Sequence, residues 1–305
     1  MGLALAYSLE HIDQAGTITE KQLEKKPAKW LFPTNAERQY ERRLLAAVDL
    51  MIELTEQNLF PALPRIVEEA NALRPDDDTI HIDQYAEQVS TIIGDIEVQY
   101  LDTYTPQVNA GIATEAAENI NTYNKQQFQK VMKSVLGVDV FVAEPWLQAE
   151  ASAFVRENVA LIKSVSSDYF KQLEETIFRG VRQGMRHEEI AAQLNRSTKY
   201  KSCLFDKTKN RAKLIARDQT NKFNGKLTEL RQTSAGIKQY RWNTVGDKRV
   251  RPKHRQFSGK IYSWPTKSKP NPKPGTRPGE DIQCRCWAEP IFNVEVAQNF
   301  GLEVK

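Results

Sequence analysis

Apolar residues recur at steps of three and four through most of the chain, the spacing that places side chains on one face of an α-helix. The longest series predicts a helix of about six turns with one buried face, formed by Val155, Val159, Ile162, Ser166, Tyr169, Leu173 and Ile177. Residues Phe178 to Leu194 then predict two helices joined by a turn at Gly184. Because Glu188 and Glu189 do not suit a DNA-reading helix, this pair is interpreted as an ordinary helical hairpin, with His187 as a surface or capping residue.

Shorter series of the same kind precede the long one. One predicts a helix that starts near Ala36, after Asn35 as its cap, with a buried face of Leu44, Val48, Met51, Thr55 and Leu59. Pro61 and Pro64 should interrupt it, and Arg74 to Asp78 form a clear break. Two further helices follow: one buries Val89, Ile92, Ile93, Ile96 and Tyr100, and the other covers residues 108–136.

The pattern changes in the last third of the chain. One more helix is predicted from Leu214 to about Ser234, and beyond Gly236 the helical spacing disappears. Alternating residues predict three short strands, at Gln239 to Thr244, Lys260 to Trp264 and Cys284 to Ala288, with an exposed loop from Pro265 to Pro278.

The predicted fold class is therefore α+β: a mainly helical N-terminal body with long helices, and a small C-terminal α+β domain with a short antiparallel sheet. The predicted organisation is a helical body at 1–144, connecting helices and a basic linker at 145–213, the C-terminal domain at 214–292 and a tail at 293–305.

Charge is distributed unevenly along the 305 residues, although the net charge is only +4. Residues Ser197 to Pro290 hold 23 Lys or Arg against 7 Asp or Glu, a net of +16, which leaves −12 for the remainder. A basic region of this density is typical of proteins that bind polyanions, nucleic acid above all. The alternative is a solvated surface that only keeps the protein soluble.

Several classes are disfavoured by the sequence. There is no apolar run long enough to span a bilayer, so no membrane partner is expected. The first residues lack the basic segment of a secretory signal, and Ala6 does not fit a lipidation motif. Three cysteines, an odd number, indicate a reducing compartment. Common hydrolase, kinase and zinc-deaminase signatures do not occur, which favours a protein that is not an enzyme.

The candidate chemistry lies near the C-terminus. Cys284 and Cys286 are two residues apart, so on a strand both thiols would point to one face. Together with His254, and with Asp247 or Cys203 as a further donor, they offer three or four ligands for zinc. The alternative is two small buried residues in a strand, with Arg285 on its other side and His254 hydrogen-bonded to the Gly-Asp turn.

The order and spacing of individual residues resemble a known family. Seven features follow one another along the chain: a helix containing Arg217, an aromatic strand with Trp242, a turn at Asp247, a basic stretch to His254, a glycine-aromatic step that begins at Gly259, the pair Pro278-Gly279, and a closing Cys284-Arg285-Cys286. This series is similar to the C-terminal domain of the phage Mu protein F family of minor head proteins, over roughly residues 145 to 290. Two departures are Asp218, where many relatives have Glu, and Asp281-Ile282-Gln283, where many have His-Pro.

The resemblance implies a minor capsid protein of a tailed phage that lies inside the head near the portal and passes through the host cytoplasm during assembly. Its expected partners are the portal protein, the major capsid protein or scaffold, and double-stranded DNA bound without sequence preference. The residues expected to contact DNA are Lys248, Arg249, Arg251, Lys253, Arg255, Lys260, Lys267, Lys269, Lys273 and Arg277. Two alternatives stay open: a metal-dependent packaging nuclease built from Asp247, His254 and Glu280, and a portal-binding assembly factor absent from mature virions.

Overall fold

The computed structural model describes residues 16–72, 82–195 and 203–305. Three features predicted from the sequence lie outside these ranges: the N-terminal segment with Ala6, the break at Arg74 to Asp78, and the first lysines of the basic linker. None of the described helices combines the length and the apolar content that crossing a bilayer requires.

The described residues form ten helices and five strands. The helices are α1 Glu20–Leu23, α2 Thr34–Asn58, α3 Leu63–Ala72, α4 Ile82–Thr103, α5 Pro106–Leu136, α6 Leu147–Arg182, α7 His187–Leu194, α8 Leu204–Ser234, α9 Pro252–Phe257 and α10 Val294–Asn299. The strands are β1 Thr17–Ile18, β2 Gln239–Asn243, β3 Ile261–Ser263, β4 Trp287–Pro290 and β5 Glu303–Val304. The predicted α+β class, with long helices and a small C-terminal antiparallel sheet, is confirmed.

The chain forms two compact units, each of which combines separate stretches of the sequence. The first unit combines the residues up to 37 with 116–154 and 217–305, and the second combines 38–115 with 155–216. The position predicted as a boundary at residue 213 lies inside the continuous helix α8.

The second unit buries the helix faces that the apolar spacing predicts. Val48 and Met51 of α2, Ile96 of α4, and Leu173 and Ile177 of α6 are all buried. The long face of α6 is thus part of the protein's own core, although Val155 and Val159 at its start are only half-buried.

Two pairs of buried polar side chains connect helices α2 and α6 inside the second unit. The Tyr40 hydroxyl donates to Asn158 Oδ1 at 2.7 Å, and the hydroxyls of Thr55 and Tyr169 are 2.7 Å apart. These bonds satisfy donors and acceptors that would otherwise be buried without partners, so they fix α6 against α2.

The core of the first unit lies under the C-terminal sheet, in which β2 is central and pairs antiparallel with β3 and β4. Tyr240 and Trp242 of β2 point to the same side, as their spacing predicts, and both are buried. They pack with Trp264 and with residues of α5 such as Phe128 and Met132. The sheet is therefore covered on its apolar face by a long helix.

The structure corrects four local predictions. Helix α8 begins at Leu204, ten residues before the predicted start, because its first turns are too polar to show an apolar series. Helical structure continues beyond Gly236, since α9 and α10 are present but are too short to produce a periodic pattern. The third strand begins at Trp287, so Cys284 and Cys286 lie in the turn and loop before it. The predicted tail contains α10 and β5, which pairs in parallel with β1.

The proline-rich loop is continuously exposed only from Pro265 to Asn271, and Lys273 and Gly275 are the exposed residues of its second half. Pro278 and Gly279, which end it, are buried against α8. A Cβ at Gly225 would lie 2.6 Å from the Pro278 carbonyl oxygen, and a Cβ at Gly279, where φ is +91°, would lie 2.9 Å from the Asn221 carbonyl oxygen. The two glycines therefore allow the backbone of the loop to lie directly against the backbone of α8. The prediction of an exposed, extended loop did not include this contact.

The contact between Gly225 and Pro278 can be tested by substitution, with a second glycine as the control. Gly225→Ala should lower the stability of the protein by about 1 to 3 kcal/mol, because the added methyl group meets a carbonyl that cannot move independently of its loop. Gly111→Ala, in the second turn of α5 with nothing within 4 Å of the new Cβ, should instead raise stability by about 0.5 to 1 kcal/mol. Thermal melting of both variants checks the opposite signs, and a Gly225→Ala protein as stable as the parent would contradict the packing described.

Candidate functional site

The predicted Cys-His set is assembled in the first unit. Nδ1 of His254 lies 3.4 Å from Sγ of Cys284 and 3.6 Å from Sγ of Cys286. All three donor atoms lie within 4.8 Å of one another. His254 and Cys284 are buried, with relative exposures of 2% and 4%, and Cys286 is half-buried.

His254 is held by the short helix α9 and by an acidic partner. Pro252 occupies the first turn of α9, where its fixed φ suits a helix start. The imidazole packs edge to face on Trp242, with ring centroids 5.5 Å apart. Its Nε2 lies 2.8 Å from Oδ2 of Asp281. Since a carboxylate only accepts hydrogen bonds, Nε2 carries the proton that Asp281 accepts, and Nδ1 faces the two sulfur atoms.

Cys284 is placed by a tight turn that follows Asp281. Its backbone N–H donates to the Asp281 carbonyl at 2.8 Å. The preceding residue, Gln283, has a φ of 55°, a conformation that costs energy for any residue except glycine. The backbone N–H of Gln283 donates to Oδ1 of the buried Asp218 at 2.9 Å. Asp218 of α8 therefore holds this strained turn in place.

The two thiols have different acidities because one donates to the other. The hydrogen bond from Cys286 lowers the pKa of Cys284 to about 6, although burial opposes the shift. The same hydrogen bond, together with burial, raises the pKa of Cys286, and the indole N–H of Trp242 opposes that rise. Cys284 is thus the sulfur on which negative charge develops first.

A cavity of about 340 Å³ adjoins the cluster and is lined by it. Four arginines also line this cavity: Arg217, Arg249, Arg251 and Arg285. Each has a partner: Arg217 pairs with Glu37, Arg251 donates to the Ile282 carbonyl, and the other two donate to Asp247.

Asp247 is an arginine acceptor in this structure. Desolvation acts to raise its pKa, but the hydrogen bonds from Arg285 and Arg249 outweigh it and hold the pKa below its ordinary value. The aspartate lies outside the set of metal-donor groups found among the described residues, which consists of His254, Cys284 and Cys286.

The structure thus separates the residues that the sequence groups together. Cys203 belongs to the other compact unit, where its sulfur accepts from the Asp206 N–H. The prediction that His254 forms a hydrogen bond with the Gly-Asp turn is wrong, because the imidazole bonds Asp281 instead. Sequence reasoning noted Asp281 only as a departure from the family pattern, and its proximity to His254 depends on a loop with no periodic signal.

The nuclease centre considered from the sequence is not formed in the described part of the chain. Asp247 is bonded to arginines, and Glu280 accepts from the Arg277 N–H and the Thr276 hydroxyl. Neither carboxylate joins His254 in a group close enough to share a metal ion.

The remaining motif residues have structural positions. Trp242 is fully buried in the core, and its backbone carbonyl accepts from the Gly259 N–H at 2.8 Å. Gly259 has a φ of +81°, which explains a glycine at the step between α9 and β3.

The ten basic residues expected to contact DNA fall into two groups. All four arginines are engaged within the protein: Arg249 and Arg251 as described above, Arg255 by the carbonyls of Val250 and Lys248, and Arg277 by Glu229 and Glu280. The six lysines are exposed, and none forms an ion pair with another described residue: Lys248, Lys253, Lys260, Lys267, Lys269 and Lys273.

The C-terminal third is thus a basic α+β domain that carries a buried Cys-His cluster. Residues 171–289 match the family described as Phage Mu protein F like protein, which confirms the resemblance over that region. An uncharacterized protein of Haemophilus influenzae is 30% identical over 182 residues, which cover 58% of this chain and 38% of that protein. An uncharacterized protein of Methanocaldococcus jannaschii is 29% identical over 134 residues, which cover 42% of this chain and 18% of that protein. The chain therefore spans less than half the length of these relatives, and no solved structure matches it.

The role of Asp218 in placing the turn can be tested by substitution. Asp218→Ala removes the acceptor of the Gln283 N–H and leaves a strained turn without its support, so stability should fall by about 1 to 3 kcal/mol. Asp95→Ala, at an exposed position in α4, is the matched control and should change stability by no more than about 0.5 kcal/mol. Thermal melting monitored by circular dichroism provides the comparison, and equal melting temperatures for the two variants would show that Asp218 does not hold the turn.

Proposed function

We propose that this protein acts in phage head morphogenesis, as a minor capsid protein whose C-terminal region binds packaged double-stranded DNA without reading its sequence. The match of residues 171–289 to the Mu protein F family supports the first part. The six exposed, unpaired lysines of that region support the second. Because the relatives are uncharacterized, the activity of the whole protein rests on these two observations.

The chemistry of the free basic residues suits a non-specific contact. Lysine is a flexible point charge that pairs with a phosphate in many orientations, whereas arginine reads base edges through a rigid fork. In this region the arginines bond acceptors of the protein itself, although Arg249, Arg251 and Arg255 are exposed, whereas the six lysines form no ion pair with a described residue. Six lysines between residues 248 and 273 therefore offer phosphate neutralisation without base readout.

The rest of the chain, with its net charge of −12, suits a different partner. Its negative charge would be repelled by packaged DNA, so contact with protein is the better interpretation. The family resemblance implies the portal ring as that partner, with the major capsid protein or scaffold as further candidates. We accordingly place the protein in the capsid interior near the portal, after assembly in the host cytoplasm.

The proposal describes a structural protein rather than an enzyme. The alternative of a packaging nuclease has no support in the geometry, because the carboxylates of Asp247 and Glu280 are engaged elsewhere. The alternative of an assembly factor that leaves before maturation differs from the proposal in where the protein is found. Mass spectrometry of purified mature virions should detect the chain at low copy number, and its presence only in assembly intermediates would favour the assembly factor.

DNA binding can be tested through its salt dependence. We expect similar affinities for two unrelated duplexes of equal length, and an affinity that falls steeply as salt is raised from 50 to about 200 mM. Replacing Lys248, Lys253 and Lys260 with Gln should reduce the slope of log affinity against log salt concentration by about 3, because each lost phosphate contact removes about one unit.

The matched control changes the same net charge elsewhere. Lys125, Lys130 and Lys163 are exposed lysines on α5 and α6, and their replacement with Gln should leave the slope unchanged. Fluorescence anisotropy at several salt concentrations measures both variants. A flat salt response of the parent protein, or equal losses in the two triple variants, would contradict the assignment of DNA contacts to residues 248–273.

A further inference from the structure

We propose that His254, Cys284 and Cys286 bind one zinc ion, through Nδ1 of the histidine and the two sulfur atoms. This inference goes beyond the proposed role in head morphogenesis and does not depend on DNA binding. The three residues lie in one compact unit and form the one group of potential metal donors among the described residues.

The distances between the donor atoms are those that a zinc site requires. Zinc binds imidazole nitrogen at about 2.0 to 2.1 Å and thiolate sulfur at about 2.3 Å in a tetrahedral arrangement, which places nitrogen and sulfur about 3.5 Å apart. The observed separations from Nδ1 are 3.4 Å to Cys284 and 3.6 Å to Cys286. The two nitrogen–sulfur separations therefore already match those of a zinc site.

The surroundings orient the donors as a metal requires. The hydrogen bond between Nε2 of His254 and Asp281 fixes the tautomer in which Nδ1 is free to bind, the carboxylate–histidine arrangement found behind zinc ligands. The backbone N–H of Cys286 donates to the Cys284 sulfur at 3.5 Å, which favours negative charge there. The buried indole N–H of Trp242 has no hydrogen-bond acceptor of normal geometry among the described residues.

The charge and the donor types select zinc over other common cations. Two thiolates and a neutral imidazole balance a divalent ion, which matters in a cavity that is also lined by four arginines. Sulfur and nitrogen donors suit zinc, whereas magnesium and calcium prefer oxygen. Three protein ligands leave a fourth position, and because the cluster lines the cavity, that position is open to water.

A second interpretation of the same atoms is a nucleophilic cysteine. Cys284, His254 and Asp281 form a chain of contacts in the order of a nucleophile, a base and an orienting acid. Two observations favour the metal. Cys284 is almost completely buried, so a substrate would have little access to it, and Cys286 shares the same imidazole nitrogen, which a nucleophile does not need.

The primary experiment measures metal content. The full chain is produced in zinc-supplemented medium, dialysed under reducing conditions and analysed by inductively coupled plasma mass spectrometry, with about one zinc per chain expected. Cys284→Ser and Cys286→Ser should each reduce zinc to the background of the buffer. Cys203→Ser is the matched control, because this cysteine is also buried but lies outside the cluster, and it should retain the full zinc content.

A second variant separates loss of a ligand from loss of the fold. Asp281→Asn keeps the shape of the side chain and all three ligands, so zinc should remain bound, but with an affinity about 10- to 100-fold lower in competition with a chelator. The circular dichroism spectrum of this variant should match that of the parent protein. An Asp281→Asn variant with unchanged zinc affinity would contradict the orienting role given to Asp281.

Cobalt provides an independent readout of the ligands. Co²⁺ added to the metal-free parent protein should produce a thiolate-to-metal charge-transfer band and the intense visible absorption bands typical of tetrahedral sites. Both features should be weaker in Cys286→Ser. Zinc at background level together with cobalt spectra lacking the charge-transfer band would overturn the proposal. So would rapid alkylation of a single thiol by iodoacetamide at a rate that added zinc does not change, the result expected of a nucleophile. Loss of DNA binding with zinc retained would reject only the proposed function.

Discussion

The burial of a polar helix face is the constraint on which the first compact unit depends. Helix α8 buries a series of polar or charged side chains: Asp218, Gln219, Thr220, Asn221, Asn224, Thr228, Glu229, Arg231 and Gln232. A buried polar group without a partner costs about 1 to 3 kcal/mol, so the stability of this face depends on the partners that most of its side chains find. Among the described residues, Thr220 Oγ1 and Asn221 Nδ2 have no hydrogen-bond partner. Arg231, with no exposed surface, shows the requirement most clearly: its guanidinium donates to Glu144, Asn121 and Asn124. The residues that follow α5 are thereby fixed by a charge that has to be neutralised inside the protein.

The same helix face also locates the candidate site. Asp218 accepts from the strained turn before Cys284, Gly225 admits the backbone of Pro278, and the Gln232 side chain donates to the Ala288 carbonyl of β4 and accepts from the indole of Trp264. These contacts are spread over four turns of α8 and hold both ends of the segment that carries the Cys-Arg-Cys sequence. The thiols therefore converge on His254 although they lie in irregular structure, where no strand alternation sets their directions.

Sequence reasoning succeeded where a feature is periodic. The faces of α2, α4 and α6, the spacing of Tyr240 and Trp242, and the class of the fold could be predicted, because repeated burial on one side imposes a repeat in the sequence. It failed where a single tertiary contact decides the structure. Cys284 and Cys286 were expected to converge as neighbours on one face of a strand, and they converge because Asp218 and Asp281 hold a turn. Likewise, the sequence does not indicate which of the ten basic residues bond acceptors within the protein, as Arg277 does with Glu280.

The division between arginine and lysine links the stability of the domain to its proposed binding role. Arginine, with five donors in a fixed plane, satisfies several internal acceptors at once, as Arg255 does at two carbonyls. Lysine remains at the surface, where its mobility has little cost. Helix α9 has both kinds of residue and also the cluster histidine, since Lys253, His254 and Arg255 are consecutive within six residues. A six-residue helix is too short to be stable alone, so its position depends on these side-chain contacts. With zinc bound at His254, the metal would fix the helix from which Lys253 extends, and the charge presented to DNA would rest on a rigid base rather than on a loop.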